Sequence, residues 1–188
     1  MRKVRSALVA LGTNLSRSSN SLSEILVAAL SAISSDDVTV CQASRLFASP
    51  CFPVGSGPDY VNAAALIETS LSAKDLLHHL HRIEAEFGRT RGVRWGQRTL
   101  DLDLLAMEDL VLPDAATHDH WRNLPTHQQA QTAPDCLILP HPRLQDRAFV
   151  LVPLAEIAPG WRHPRLGKTV LEMLAGLEIA DIAAVTPL

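Results

Sequence analysis

Two stretches of helical spacing, set among four β-rich runs, constrain this chain more than anything else in it. Leu22, Ile25, Leu26, Ala29, Leu30 and Ile33 recur with the period of one helix face, and Leu76, Leu80, Ile83 and Phe87 do so again. Ser21 with Glu24 supplies a capping box for the first, Ser72 with Asp75 a cap for the second, and Gly88 a terminator. Around them, "SALVAL" (6–11) is apolar on both faces, as a central buried strand must be. "VTVCQASRLF" (38–47), "YVNAAALIET" (60–69) and "TLDLDLLAM" (99–107) read as further strands. The order β-α-β-β-α-β predicts an α+β, ferredoxin-like core, an antiparallel sheet flanked by helices with C-terminal additions. Fold alone does not name a chemistry.

Residues 113–136 are rich in Pro, His, Gln, Thr and Ala and lack an apolar period, which predicts an inserted surface loop with Trp121 anchoring it to the body. Order returns at 136–159 as a short strand and then a helix. Thr169 and Glu172 frame a last capping box, with Leu171, Leu174 and Leu177 on the apolar side of that helix. With 188 residues, no repeat and no linker, one domain spanning 1–188 is expected. A net charge of −3 and 4% aromatics argue against a sheet that binds RNA, which wants a basic face and surface rings. The apolar run at 7–11 is too short to span a membrane and lacks the features of a secretory signal. Cys41, Cys51 and Cys136 form no even set and no CxxC pair, which reads as reduced thiols in a cytoplasmic protein.

The chemistry concentrates at "RWGQRTLDLDLL" (94–105). On a strand, alternate residues share a face, so Asp101 and Asp103 project together while Leu100, Leu102 and Leu104 pack behind them. An isolated DLDL is ordinarily a solvated acidic face. Here it follows a loop holding Arg89, Arg91, Arg94 and Arg98 interleaved with Gly88, Gly92 and Gly96. Guanidinium groups suit phosphate oxygens, and paired carboxylates suit Mg²⁺, which takes one or two carboxylates plus phosphates and water. Together they predict a site for a nucleoside triphosphate with its metal. There is no GxxxxGK[ST] loop and no protein-kinase motif. His118 and His120 offer a weaker zinc alternative inside the insertion.

The same segment resembles the signature of the hydroxymethyldihydropterin pyrophosphokinase family of folate biosynthesis, which typically reads RWGPRTLDLDI. "ALGTNL" (10–15), "SPCFPVGSGPDYVNAA" (49–64), "HRIEAEFGRTR" (81–91) and "LPHPRLQDRAFVLVPLAEIAP" (139–159) agree in order and spacing. The resemblance implies transfer of pyrophosphate from MgATP to the hydroxymethyl oxygen of 6-hydroxymethyl-7,8-dihydropterin, releasing AMP. It implies two Mg²⁺ ions on Asp101 and Asp103, with Arg89, Arg91 and Arg98 as catalytic-loop arginines. His81, Glu84, Arg94, Trp95, Leu104, His141 and Arg147 match nucleotide-side positions. Trp95 also closes over the site. On the pterin side, Tyr60 and Phe149 match the stacking pair and Asn62 the residue at the amide edge, with Ser49, Pro50 and Phe52 beside it. The implied partners are those two small molecules, with no nucleic acid and no membrane, and the implied state is a monomer, with association with other folate-pathway enzymes left open.

The chain departs from the family pattern at Gln97, which stands where a Pro is usual, and at Pro142, where an aromatic often follows the His. The stretch from Arg91 to Arg94 is one residue shorter, and 113–136 is additional. A second reading follows from these departures: a binding paralogue that keeps the pterin or nucleotide pocket with weakened catalysis.

Overall fold

A computed structural model of the protein describes residues 3–15, 21–51, 55, 57–88, 99–125, 128 and 132–188. Strand β1 (Arg5–Thr13) takes the central place that its two-faced apolar sequence demands. It pairs antiparallel with β4 (Tyr60–Thr69) on one side and with β5 (Asp101–Met107) on the other. The described strands run in the order β5-β1-β4-β3-β6, with β2 (Val38–Ala43) also pairing with β4. Here β3 is Phe47–Ser49, and β6 is Thr186–Pro187 near the C-terminus.

Helices α1 (Leu22–Ile33) and α2 (Ala73–Glu86) lie on one face of this sheet. Leu26, Ala29 and Ile33 of α1 and Leu76, Leu80 and Ile83 of α2 bury against Val9, Leu11, Ala63, Ala65, Leu102 and Leu104. Each such large aliphatic side chain contributes about 1.5–3 kcal/mol on burial. The caps read from the sequence form as expected. Ser21 and Glu24 complete a reciprocal capping box, and the Ser72 side chain accepts from the Asp75 N–H. Gly88 leaves α2 at φ 80°, a conformation that suits glycine. The expected β-α-β-β-α-β order and antiparallel sheet are therefore present.

On the opposite face, α4 (Ala148–Ile157) and α5 (Val170–Leu174) cover Leu8, Ala64, Leu105 and Ala106. A last short helix, α6 (Ile179–Ala183), leads into β6. The Thr169–Glu172 capping box starts α5 as expected, but Leu171 points outward at 52% exposure while Val170 and Met173 fill the core.

Three sequence expectations change. The run 38–47 is broken between β2 and β3, where the Arg45 N–H and side chain both donate to the Glu156 carboxylate (2.9 and 2.7 Å) and draw the chain toward α4. The strand expected after 136 shrinks to a single bridge between Leu112 and Leu139. Pro140 and Pro142 lack the N–H groups that a ladder would need. The 113–136 segment is not wholly irregular: residues 115–123 form a helix, α3 (Ala115–Asn123), capped by the Asp114 side chain, which accepts from the Thr117 N–H at 2.9 Å. Its buried residue is His118 rather than Trp121, which is half-buried and edge-on to His120. A polar anchor explains why no apolar period marks this helix.

The anchor meets a second buried imidazole, His163, with ring centroids 5.7 Å apart. Desolvation, then the neighbouring His118 and Arg122, pushes His163 down to about 4. The unfolded chain takes up this proton near pH 6.5, whereas the folded chain refuses it until about 4. Between those values the unfolded state binds more protons, so stability falls as pH falls. We expect a loss on the order of 3 kcal/mol from this group between pH 7.5 and pH 4. Urea midpoints across that range should fall less steeply in His163→Asn, whose amide oxygen can still accept at the Nδ1 position. Identical slopes in the two proteins would refute the assignment.

Candidate active site

Strand register puts the site together. Gly12 on β1 lies opposite Asn62 on β4 and opposite Asp101 on β5, so Asp101, Gly12 and Asn62 form one row across three strands. One step along, Asp103 lies opposite Ala10. Alternation places this row on the face away from α1 and α2, since Leu102 and Leu104 fill the core beneath those helices. With neighbouring strands about 4.8 Å apart, the acidic end and the amide end of the row are separated by about 10 Å. The middle of the row is a glycine, where an added Cβ would meet the Asn62 Oδ1 at 3.4 Å. The sheet thus offers a floor with no side chain at its centre.

Two contacts fix the entry into β5. The buried Thr13 hydroxyl donates to the Thr99 carbonyl at 2.7 Å. From α2, the buried Glu84 carboxylate accepts the N–H of Leu102, the residue between the two aspartates, at 2.8 Å. Because β5 is the edge of the described sheet, this N–H is received by a side chain rather than by another strand.

At the acidic end the chain returns over β5, and the His141 N–H donates to the Leu105 carbonyl at 2.7 Å. The His141 Nδ1 accepts from the Arg143 N–H at 3.2 Å, so at neutrality Nε2 carries the ring proton. Desolvation, then the charges of Arg147 and Arg143, drives this imidazole down to about 3, with Asp101 opposing. Arg143, Arg147 and Asp101 thus lie within electrostatic range of His141. At the amide end, the Asn62 Nδ2 donates to the Ser49 Oγ at 2.9 Å, and Tyr60 pairs with Ser49 in the ladder. Phe149, in the first turn of α4, is 38% exposed, and the Arg147 guanidinium lies 5.6 Å from its ring centre. An aromatic in an apolar stretch is usually core; this one is not.

Comparison with known proteins gives the chain its family. The family model described as 7,8-dihydro-6-hydroxymethylpterin-pyrophosphokinase (HPPK) matches residues 8–159. The chain belongs to the HPPK family. A 2-amino-4-hydroxy-6-hydroxymethyldihydropteridine pyrophosphokinase of Synechocystis is 37% identical over 184 residues, covering 96% of this chain and 80% of that protein. The protein of the same name from Pseudomonas aeruginosa is 36% identical over 180 residues, 95% of this chain and 96% of the relative. Two Plasmodium falciparum HPPK-DHPS structures superpose with TM-scores of 0.65 and 0.66 at 14% and 13% identity, covering 93% of this chain. That likeness concerns the fold, and the chain spans 44% and 43% of those longer proteins.

Several of the residues singled out in the sequence for an HPPK site come together here: Asp101, Asp103, His141 and Arg147 at one end, Ser49, Tyr60 and Asn62 at the other. Pro50 is exposed just beyond β3, and His81 is half-buried on α2. Glu84 and Leu104 lie on the helix side of β5. The Leu104 side chain is in the core, which leaves its main chain to face a ligand. Phe52, Arg89, Arg91, Arg94, Trp95 and Arg98 lie outside the described residues, as does Gln97. Arg143 was not singled out in the sequence. Its position two residues after His141 and four before Arg147 was the available signal. Of the zinc alternative, His118 is spent on the Pro140 carbonyl (3.0 Å) while His120 is exposed. Among the described residues no three His, Cys, Asp or Glu side chains gather as a metal cage. The half-buried Asp101 and Asp103 offer oxygen donors on one face, a set that suits Mg²⁺ completed by phosphates and water. No described helix is long and apolar enough to cross a membrane.

Proposed function

We infer that the chain transfers the pyrophosphoryl group of ATP to the hydroxymethyl oxygen of 6-hydroxymethyl-7,8-dihydropterin in folate biosynthesis. The substrate oxygen bonds to the β-phosphorus, the bond from that phosphorus to the α–β bridging oxygen breaks, and AMP leaves. The observation that carries the reading is the row Asp101–Gly12–Asn62, an acid end and an amide end joined by an open floor.

Asp101 and Asp103 would hold two Mg²⁺ ions, which when bound neutralise phosphate charge and help align the attacking and leaving oxygens. The protein's own share is positioning and fixed charge. Arg147 meets the polyphosphate from the α4 side, and the family resemblance assigns Arg89, Arg91, Arg94 and Arg98 to the phosphates and Trp95 to the nucleotide. His141 stays neutral and presents its Nε2–H as a donor, while His81, Glu84 and the Leu104 main chain complete the nucleotide side. Tyr60 and Phe149 cover the two faces of the flat pterin, where stacking adds to burial. Asn62 meets its amide edge, with Ser49 holding the side chain and Pro50 beside it, and the family resemblance assigns Phe52 to the pterin as well. The protein acts as a cytoplasmic monomer on these two small molecules.

The test is product analysis with purified protein, MgATP and the dihydropterin. AMP should appear in step with pyrophosphorylated pterin and vanish with excess EDTA. Nucleotide binding without AMP would instead identify a binding paralogue, and ADP with phosphoryl-pterin would overturn the transfer at the β-phosphorus.

A further inference from the structure

Helix α3 touches the nucleotide side of the site through one atom. The Nε2 of His118 lies 3.0 Å from the Pro140 carbonyl oxygen. That oxygen only accepts, so Nε2 is the protonated nitrogen and Nδ1 is left as an acceptor. Pro140 and His141 share a peptide unit, whose other end, the His141 N–H, donates to the Leu105 carbonyl. One planar peptide is therefore held on both edges, by β5 from one direction and by α3 from the other. The ring it carries accepts the Arg143 N–H at Nδ1 and lies within electrostatic range of Asp101 and Arg147.

The Pro140 carbonyl selects that tautomer, and a second imidazole packs against the ring. The Nδ1 of His163 accepts from the N–H groups of Arg165 and Leu166 (3.1 and 3.3 Å), which leaves the His163 proton on Nε2. The Nε2 of His163 and the Nδ1 of His118 are both buried without a hydrogen bond, on rings in edge contact, and the Asp119 carboxylate lies 3.6 Å from the His118 Nδ1. Asp119 holds the helix in place, bonded to Arg165 from the segment after α4 and paired with Arg122 at 3.3 Å.

We propose that His118 is a positioning residue for ATP: through the Pro140 carbonyl it fixes the His141 peptide, and α3 buttresses the nucleotide side of the site. The proposal rests on the reading of His141 as a nucleotide contact, and the experiment separates the two. Steady-state kinetics are measured for wild type, His141→Ala, His118→Gln and His118→Asn, with melting temperatures alongside. The Gln amide nitrogen reaches about as far as Nε2, and the Asn amide does not. The Asn variant should raise KM for ATP about fivefold, the scale of one hydrogen bond, with KM for the pterin unchanged. The Gln variant should return to within about twofold of wild type. Equal KM values for ATP in the Gln and Asn variants, or a loss confined to melting temperature, would overturn the positioning role. An ATP KM unaltered in His141→Ala would overturn the underlying reading instead. In wild-type protein, the imidazole ¹⁵N shifts of His118 should show the Nε2–H tautomer, and the Nδ1–H form would contradict the proposal without any variant.

Discussion

Asp103→Ala and Asp101→Ala each lower turnover by about a thousandfold or more, equivalent to about 4 kcal/mol of lost transition-state stabilisation. The loss is chemical rather than structural. Both carboxylates are half-buried on the face away from α1 and α2, and β5 is held by Leu102 and Leu104 in the core and by Glu84 on the Leu102 N–H. Removing Asp103 from the like-charged pair relieves repulsion, so the melting temperature of that variant should stay level or rise slightly. The Asn variants sharpen the test, because an amide keeps the shape and one oxygen while losing the charge that attracts a divalent ion. They should need far more Mg²⁺ for half-maximal rate and bind metal-free pterin normally. Turnover near wild type in any of the four variants, with the fold intact, would remove the metal role from this strand.

Why the site's frame was legible in the sequence, and part of its surroundings was not, comes down to the range of the forces involved. The β5 alternation, the Ser21 and Thr169 capping boxes and the Gly88 terminator are local, each written within a few residues. The helix α3 is not. Its anchor bond joins His118 to Pro140, 22 residues away, and its buried side chain is polar, so hydrophobic spacing is silent about it. Glu84 is similar: in sequence it is one more charge on a helix, and only the edge position of β5 gives its carboxylate an N–H to receive. Phe149 misleads in the opposite sense, because an apolar neighbourhood suggests core while the turn into α4 leaves its ring outward. The row Asp101–Gly12–Asn62 needed the sheet. The three residues are far apart in the chain and become neighbours only through antiparallel register.

That row also sets the second large effect. Asn62 is 5% exposed, an amide between Val61 and the run Ala63, Ala64 and Ala65. Its Nδ2 donates to the Ser49 hydroxyl, and its Oδ1 lies beside the missing side chain of Gly12. A buried amide carries more hydrogen-bonding capacity than Ser49 alone uses, and a flat heterocycle resting on Gly12 would present its amide edge to the remainder. Asn62→Ala should raise KM for the pterin about a hundredfold, the scale of two lost hydrogen bonds in a desolvated slot, and leave KM for ATP unchanged. Asn62→Asp separates hydrogen bonding from shape. The carboxylate can still accept from the Ser49 hydroxyl, which rotates to donate, but it has no donor left for the ring's carbonyl edge, so its pterin defect should match or exceed that of alanine. Ser49→Ala should weaken pterin binding less than either, since it only holds the amide in orientation. Isothermal titration with each ligand in turn reads these losses directly. If Asn62→Ala weakened ATP and pterin alike, the amide would be supporting the sheet rather than meeting the substrate, and the division of the row into an acid end and a ring end would fail with it.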